Sequence, residues 1–148
     1  MSNYRNPYNK MPKQKVAPYI KYEVESSYGM WNWIVDGIIN YFNFNGRARR
    51  KAFWYFTIAN VTFLIAAKIS QVTQVIPSEL INLLEVTTIA LAIPMVSVTA
   101  RRLHDTERSG FMQLIAIIPF GVFVLIYFLC QDSSPQTNQW GPPAKQVH

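Results

Sequence analysis

Cysteine is nearly absent from this 148-residue chain: Cys130 stands alone, so no internal disulfide can form, and it reads as a small apolar filler. Histidine is scarce too. Of the two, His148 is terminal and His104 has no partner at a zinc-like spacing, which excludes a metal site recognisable from sequence. Six glycines are scattered without a phosphate-cradling loop or a cofactor fingerprint. No serine or cysteine sits in a nucleophile motif. The expectation is therefore no enzyme, with no catalytic residue, cofactor or metal. Acidic residues are few, eight against 14 Lys and Arg, for a formal charge of +6.

Charge is also nearly missing from three long stretches, Ala52–Ile69, Leu80–Val98 and Phe111–Cys130, which hold only Lys68 and Glu85. Each approaches the ~20 residues with which a helix crosses the ~30 Å hydrocarbon core of a bilayer. A soluble fold of this size would lack the polar surface to cover them. The chain reads as an all-α integral membrane protein with three transmembrane helices, about 52–69, 80–98 and 111–130. The first run starts far from Met1 and lacks a small-residue cleavage pattern, so it is expected to be an uncleaved anchor.

The cations set an orientation. Nine of the 14 precede residue 52, and none falls in the Ser70–Glu79 connection. Arg101, Arg102 and Arg108 follow the second run. Positive residues stay cytoplasmic during insertion. The N-terminus and the arginine-rich loop are thus expected inside, and, with three spans, the tail 131–148 outside.

Residues 1–29 contain Pro7, Pro12 and Pro18 without apolar periodicity, which suggests a flexible basic cytoplasmic arm. Its Lys, Arg and Tyr residues suit anionic lipid, at roughly 1 kcal/mol per basic residue near the surface, rather than nucleic acid. In Met30–Phe44, Asn32, Asp36, Asn40 and Asn43 recur every three or four positions among aromatic and aliphatic residues. This predicts an interfacial amphipathic helix, too short and polar to cross. Asn45-Gly46 ends it and opens a membrane domain over 45–130. Phe53-Trp54-Tyr55-Phe56 then anchors the first span at headgroup depth.

In the second span, Pro94 is expected to bend the helix. Glu85 is a carboxylate near the outer end, where a structural pair with Lys68 is expected and an ion path through Glu85 and Lys68 is the alternative. The third run is interrupted by Pro119-Phe120-Gly121. The expectation is a kinked span, the alternative a re-entrant hairpin that would need protein around it. The Pro/Gln/Asn-rich tail 131–148 is expected to be flexible.

If this topology holds, Arg47, Arg49, Arg50 and Lys51 meet Arg101, Arg102 and Arg108 in one layer. Asp36, Asp105 and Glu107 supply local countercharge, with Asp105 paired to one of the arginines. Anionic phospholipids are the expected partners for the remainder, because the planar guanidinium fork donates two parallel bonds to phosphate. Arg47, Arg49, Arg50, Lys51, Arg101, Arg102, His104 and Asp105 are thus the candidate lipid- or partner-binding residues. His104 and Asp105 are adjacent on a helix, do not face each other, and make a poor catalytic pair.

Phe44-Asn45-Gly46-Arg47 with Arg50-Lys51-Ala52-Phe53-Trp54, then Arg101-Arg102-Leu103-His104-Asp105 with Ser109-Gly110, form a recognisable set. Ile118-Pro119 and Asn138 through Pro142 complete it. Over roughly Tyr41 to Pro143 the chain resembles the domain of unknown function 805 family, small bacterial inner-membrane proteins of the YhaH type. Phe111 stands where that family usually has tryptophan, and Trp140 where it usually has tyrosine or phenylalanine. The resemblance implies a bacterial cytoplasmic-membrane location and a multi-helix fold, and no mechanism. A bundle this small buries little between helices, so a homo-oligomer or a membrane-protein partner is expected. The two function classes that follow are a non-enzymatic docking component and a small oligomeric transporter or channel.

Overall fold

The computed structural model describes residues 25 and 27–145, and within them it is all-helical, without a strand. The arm expected over 1–29 lies almost wholly outside the described residues. Helix α1 spans Met30–Ile39, α2 Arg50–Thr73 and α3 Ser78–Asp105; a 3₁₀ helix follows at Gly110–Ile117, then α4 at Gly121–Cys130.

Helices α2 and α3, with 24 and 28 residues, are long and apolar enough to cross a membrane. At 1.5 Å per residue they measure about 36 and 42 Å. They form an antiparallel pair whose outward surface is apolar and exposed, as at Ile58, Ile65, Val72, Leu83, Val86 and Ile89. Both helices outrun the apolar stretches that predict them. In particular, α3 continues two turns past Val98, so Arg101–Asp105 belongs to its C-terminal turn and not to a loop.

Pro94 lies inside α3 without ending it. Having no N–H, it leaves the carbonyl of Ala90 without its i+4 donor. The Tyr41 hydroxyl donates to that carbonyl. A side chain from the α1–α2 connection thus restores the hydrogen bond that proline removes from α3.

The third apolar run does not form a third span. The 3₁₀ helix, at ~2 Å per residue, rises about 16 Å and α4 about 15 Å, each roughly half of the ~30 Å hydrocarbon core. Between them Ile118–Gly121 closes a tight turn: Gly121 N–H donates to Ile118 O at 2.8 Å, Pro119 takes the second position and Phe120 the third, at φ 64°. That is the type II pattern, in which proline suits the second position and the third needs positive φ. Gly121 is required by packing. A Cβ there would sit 1.8 Å from the carbonyl oxygen of Ile115, so only glycine lets the two limbs meet.

Both limbs return to one end of the α2–α3 pair. Gly110 lies against Ala100 and His104, while Leu129 O accepts from Arg102 Nε at 3.1 Å and Cys130 O from Arg50 Nη1 at 3.2 Å. The expected kinked helix is thereby replaced by a hairpin of two short limbs. The proline turn reverses the chain, and Arg102 of α3 and Arg50 of α2 hold the returning end.

The expected flexible tail is also corrected. Residues 131–145 fold across the arginine end: Ser134 N–H bonds Asp105 O at 2.9 Å, and Asn138 Nδ2 bonds His104 O at 2.9 Å. The tail therefore lies on the arginine side of the molecule rather than opposite it.

Helix α1 is shorter than the stretch 30–44 that predicts it, ending at Ile39 in a turn. Its buried positions are Trp33 and Gly37, and its polar residues Asn32 and Asp36 are half-buried. Asp36 approaches Arg101, and the buried Ser97 Oγ donates to the carbonyls of Asn43 at 2.6 Å and Asn40 at 3.2 Å. Gly37 receives the ring of Phe56, which a Cβ would meet at 2.3 Å. Trp31 and Ile38 remain exposed. The apolar core, Trp33, Phe53, Phe56, Val98, Leu103 and Leu129, gathers at the same end as the arginines.

Candidate functional site

A helix leaves its last four carbonyls without intrahelical donors, and its C-terminus carries partial negative charge. Helices α3 and α4 both end at the arginine layer, and other segments of the chain satisfy them there. Arg101 O accepts from Ala48 N–H at 3.0 Å, and Leu103 O from the N–H groups of Thr106 and Arg108. At the end of α4, Arg102 Nε reaches Leu129 O and its Nη2 reaches Gln131 O. Two guanidiniums and the ordered tail cap two helices at once.

Asp105 is the hub and is fully buried. One carboxylate oxygen accepts from Arg47 Nε at 2.9 Å and from Ala144 N–H at 3.3 Å. The other accepts from Arg102 Nη1 and Ser133 Oγ, each at 2.5 Å. Pairing to one arginine is the sequence expectation; the structure pairs it to two. Arg47 uses all five of its N–H donors. Besides Asp105 Oδ1 these reach Gln136 O (2.7 Å), Gly141 O (3.4 Å), Asp105 O (3.2 Å) and Ser134 O (2.6 Å). A buried ion pair is tolerated when its remaining donors and lone pairs are met in this way.

His104 Nδ1 lies 3.1 Å from Gly46 O, which makes Nδ1 the protonated nitrogen, since a carbonyl can only accept. Its ring stacks on Trp140 at 4.2 Å and 6°. His104 thus faces a carbonyl and an indole while Asp105 faces guanidiniums, and the two form no dyad.

The predicted layer divides into three groups. Arg47, Arg102, His104 and Asp105 are internal, and presenting them to headgroups is not how the fold places them. Arg50 and Lys51 stand at the rim. Arg50 pairs with Asp132 at 3.3 Å and stays half exposed, and Lys51 is exposed. Asp132 is held below the ordinary carboxylate range, first by the Ser133 N–H; burial opposes this, and Arg50, Lys145 and Arg102 each add a smaller lowering effect. Arg49 pairs with Glu25 at 2.7 Å and reaches Ala144 O. Arg108, in the same layer, bonds Gln131 Oε1 at 2.6 Å and lies over the Phe128 ring.

Arg101 forms the third group. It is 6% exposed, its nearest carboxylate oxygen (Asp36 Oδ2) is 4.0 Å away, and its Nε and Nη2 have no hydrogen-bond partner among the described residues. Leaving a buried donor unmet costs about 1–3 kcal/mol.

Lys51 and Arg50 border a shallow groove of about 480 Å³ whose other walls are Trp54, Tyr55, Ile58 and Cys130. At the far end of the helix pair, Lys68 and Glu85 are joined through Gln71: Lys68 Nζ donates to Gln71 Oε1 at 3.0 Å, and Gln71 Nε2 to Glu85 Oε1 at 2.6 Å. The expected direct Lys68–Glu85 pair does not form among the described residues, because Gln71, one turn along α2 from Lys68, takes the place between them.

Sequence reasoning misses Ser133, Ser134, Gln136, Asn138 and Ala144, whose contributions are largely backbone, and Gln71. The one available signal is the Asn138–Pro142 pattern.

A family model described as a protein of unknown function (DUF805) matches residues 41–142. The chain belongs to this family. Its curated relatives include the inner membrane protein YhaI of Escherichia coli K12, 36% identical over 114 residues, 76% of this chain and 95% of the relative. Inner membrane protein YhaH of the same strain is 36% identical over 118 residues, 77% and 97% of the two chains. No solved structure matches. The family match starts at Tyr41, the side chain that repairs α3 at Pro94, and closes just past Gly141, whose carbonyl Arg47 holds. It therefore takes in Arg47, Arg102, Asp105 and most of their partners, though not Ala144. The chain is a transmembrane protein of an uncharacterised inner-membrane family.

Proposed function

We propose that this protein is a non-enzymatic, multi-pass component of the bacterial inner membrane that docks anionic phospholipid at its arginine end. That end faces the cytoplasm, with α2 and α3 crossing and the 3₁₀–α4 hairpin entering and leaving from the cytoplasmic side. The positive-inside rule supports the orientation, since Arg47–Lys51, Arg101, Arg102 and Arg108 all lie there.

The observation that carries the reading is the groove on α2. Two exposed cations stand at its mouth, and Trp54, Tyr55 and Ile58 continue it along the membrane-facing side of the helix. A phosphodiester at Arg50 and Lys51 with an acyl chain along that wall fits both halves. Each basic residue near the surface adds roughly 1 kcal/mol for anionic lipid, so removing two weakens retention about 30-fold.

The test is native mass spectrometry of protein released from nanodiscs of mixed phosphatidylglycerol and phosphatidylcholine. Wild type retains phosphatidylglycerol, and Arg50→Gln/Lys51→Gln loses it while Trp140 emission reports an unchanged fold. Equal retention in the double variant refutes the reading. A specific feature also favours assembly: Ile117, Ile118 and Phe120, around the hairpin turn, are exposed, and irregular backbone at membrane depth requires protein cover. Cross-linking in the native membrane through a cysteine at Ile117 distinguishes a second copy from another protein.

A further inference from the structure

On the face of α2 opposite the lipid groove, α1, the α1–α2 connection and the end of α3 line a second, half-open cavity of about 370 Å³. That is roughly a dozen times the ~30 Å³ share of one water molecule, enough for a tetrahedral oxyanion and part of its substituent. Three N–H-bearing atoms in its wall lack partners among the described residues: Arg101 Nε, Arg101 Nη2 and Trp33 Nε1. Both side chains are more than nine-tenths buried. Arg47, Arg49, Glu25 and Asp36 line the cavity as well, but the Arg47 guanidinium is committed to Asp105 and the tail. Glu25 is engaged by Arg49 at 2.7 Å, and Asp36 accepts from Asn40 Nδ2 at 3.1 Å. The open donors of the cavity are thus those of Arg101 and Trp33.

We propose that this cavity binds a phosphate group, which Arg101 holds by its Nε and Nη2 and Trp33 by its indole N–H. The guanidinium edge presents two parallel donors to two phosphate oxygens, and the indole meets a third. The same chemistry fits a lipid headgroup or a soluble phosphate, and the two are separable by experiment. The site shares no side chain with the Arg50–Lys51 groove, so either can fail without the other.

The full chain, with ¹⁵N-labelled tryptophan, is placed in maltoside micelles in phosphate-free buffer. The indole resonance of Trp33, assigned through Trp33→Phe, is followed on adding inorganic phosphate and, separately, phosphatidylglycerol. A saturable shift with inorganic phosphate supports a soluble ligand; a shift with phosphatidylglycerol alone supports a headgroup. Arg101→Gln is expected to weaken the response at least about tenfold, the loss of one charge-assisted bond. The signals of Trp31, Trp54 and Trp140 report whether the variant keeps its fold. If they move, Arg101→Lys decides, since it keeps the charge and loses the fork, and a weakened response is expected. A Trp33 resonance unmoved by both probes, as when water alone fills the cavity, or equal affinity in the decisive Arg101 variant, overturns the proposal.

Discussion

Replacing Asp105 with asparagine separates a structural hub from a docking surface. The carboxylate is fully buried and receives Arg47, Arg102, Ser133 and the Ala144 N–H. Asparagine keeps the shape but removes the charge and turns one acceptor into a donor. Whichever way the amide is oriented, its NH₂ then faces an arginine N–H. Two guanidiniums are left in the interior with no countercharge. Breaking a buried pair by removing one partner costs about 3–5 kcal/mol, a large share of the ~5–15 kcal/mol that holds a domain together. The damage spreads along the chain, because Arg47 also binds Gln136, Ser134 and Gly141, and Arg102 binds Leu129 and Gln131. Tail and hairpin should loosen together. Unfolding in mixed dodecyl sulfate–maltoside micelles, followed by Trp140 emission, measures the loss, since Trp140 stacks on His104 beside the hub. A loss below about 1 kcal/mol, the range of an exposed ion pair, would refute the reasoning and return Asp105 to the role of a surface ligand.

Single cysteines in a Cys130→Ser background test the topology: at Lys51 and Lys145 they are expected to react with an impermeant maleimide from the same side of the membrane, and labelling from opposite sides restores a third span. Gly121→Ala should prevent the hairpin from closing, because its Cβ meets the Ile115 carbonyl at 1.8 Å; protease cleavage after Arg108 or near Gln131 should then appear, and an unchanged pattern argues against the hairpin. Glu85→Gln keeps an oxygen for Gln71 and should change stability by less than about 1 kcal/mol; a wild-type proton flux in vesicles that this variant abolishes would instead favour the ion path. Tyr41→Phe removes the donor to Ala90 O and should cost about 1–2 kcal/mol by leaving that carbonyl unmet, read in the same unfolding assay; no change would show that the Pro94 site needs no repair.

The membrane class, the α2 and α3 spans and the arginine layer follow from the sequence alone. Apolar length and the absence of charge are local properties, and a bilayer reads them residue by residue. The basic cluster and the Arg101–Asp105 pattern likewise mark where the polar end lies. Tertiary structure decides what those groups do. Whether Pro119 bends a span or reverses it depends on Gly121 meeting the Ile115 carbonyl and on Arg102 and Arg50 holding the carbonyls at the end of α4. Whether an arginine faces lipid, a carboxylate or an open cavity depends on backbone acceptors far along the chain, among them Gln136, Gly141 and Ala144. Those acceptors are carbonyls, which every residue carries, so side-chain identity leaves no trace of them. The sequence by itself determined where the charge goes; the packing of the tail and the hairpin onto the end of α3 determined which of it is spent on the fold and which is left exposed or without a hydrogen-bond partner among the described residues.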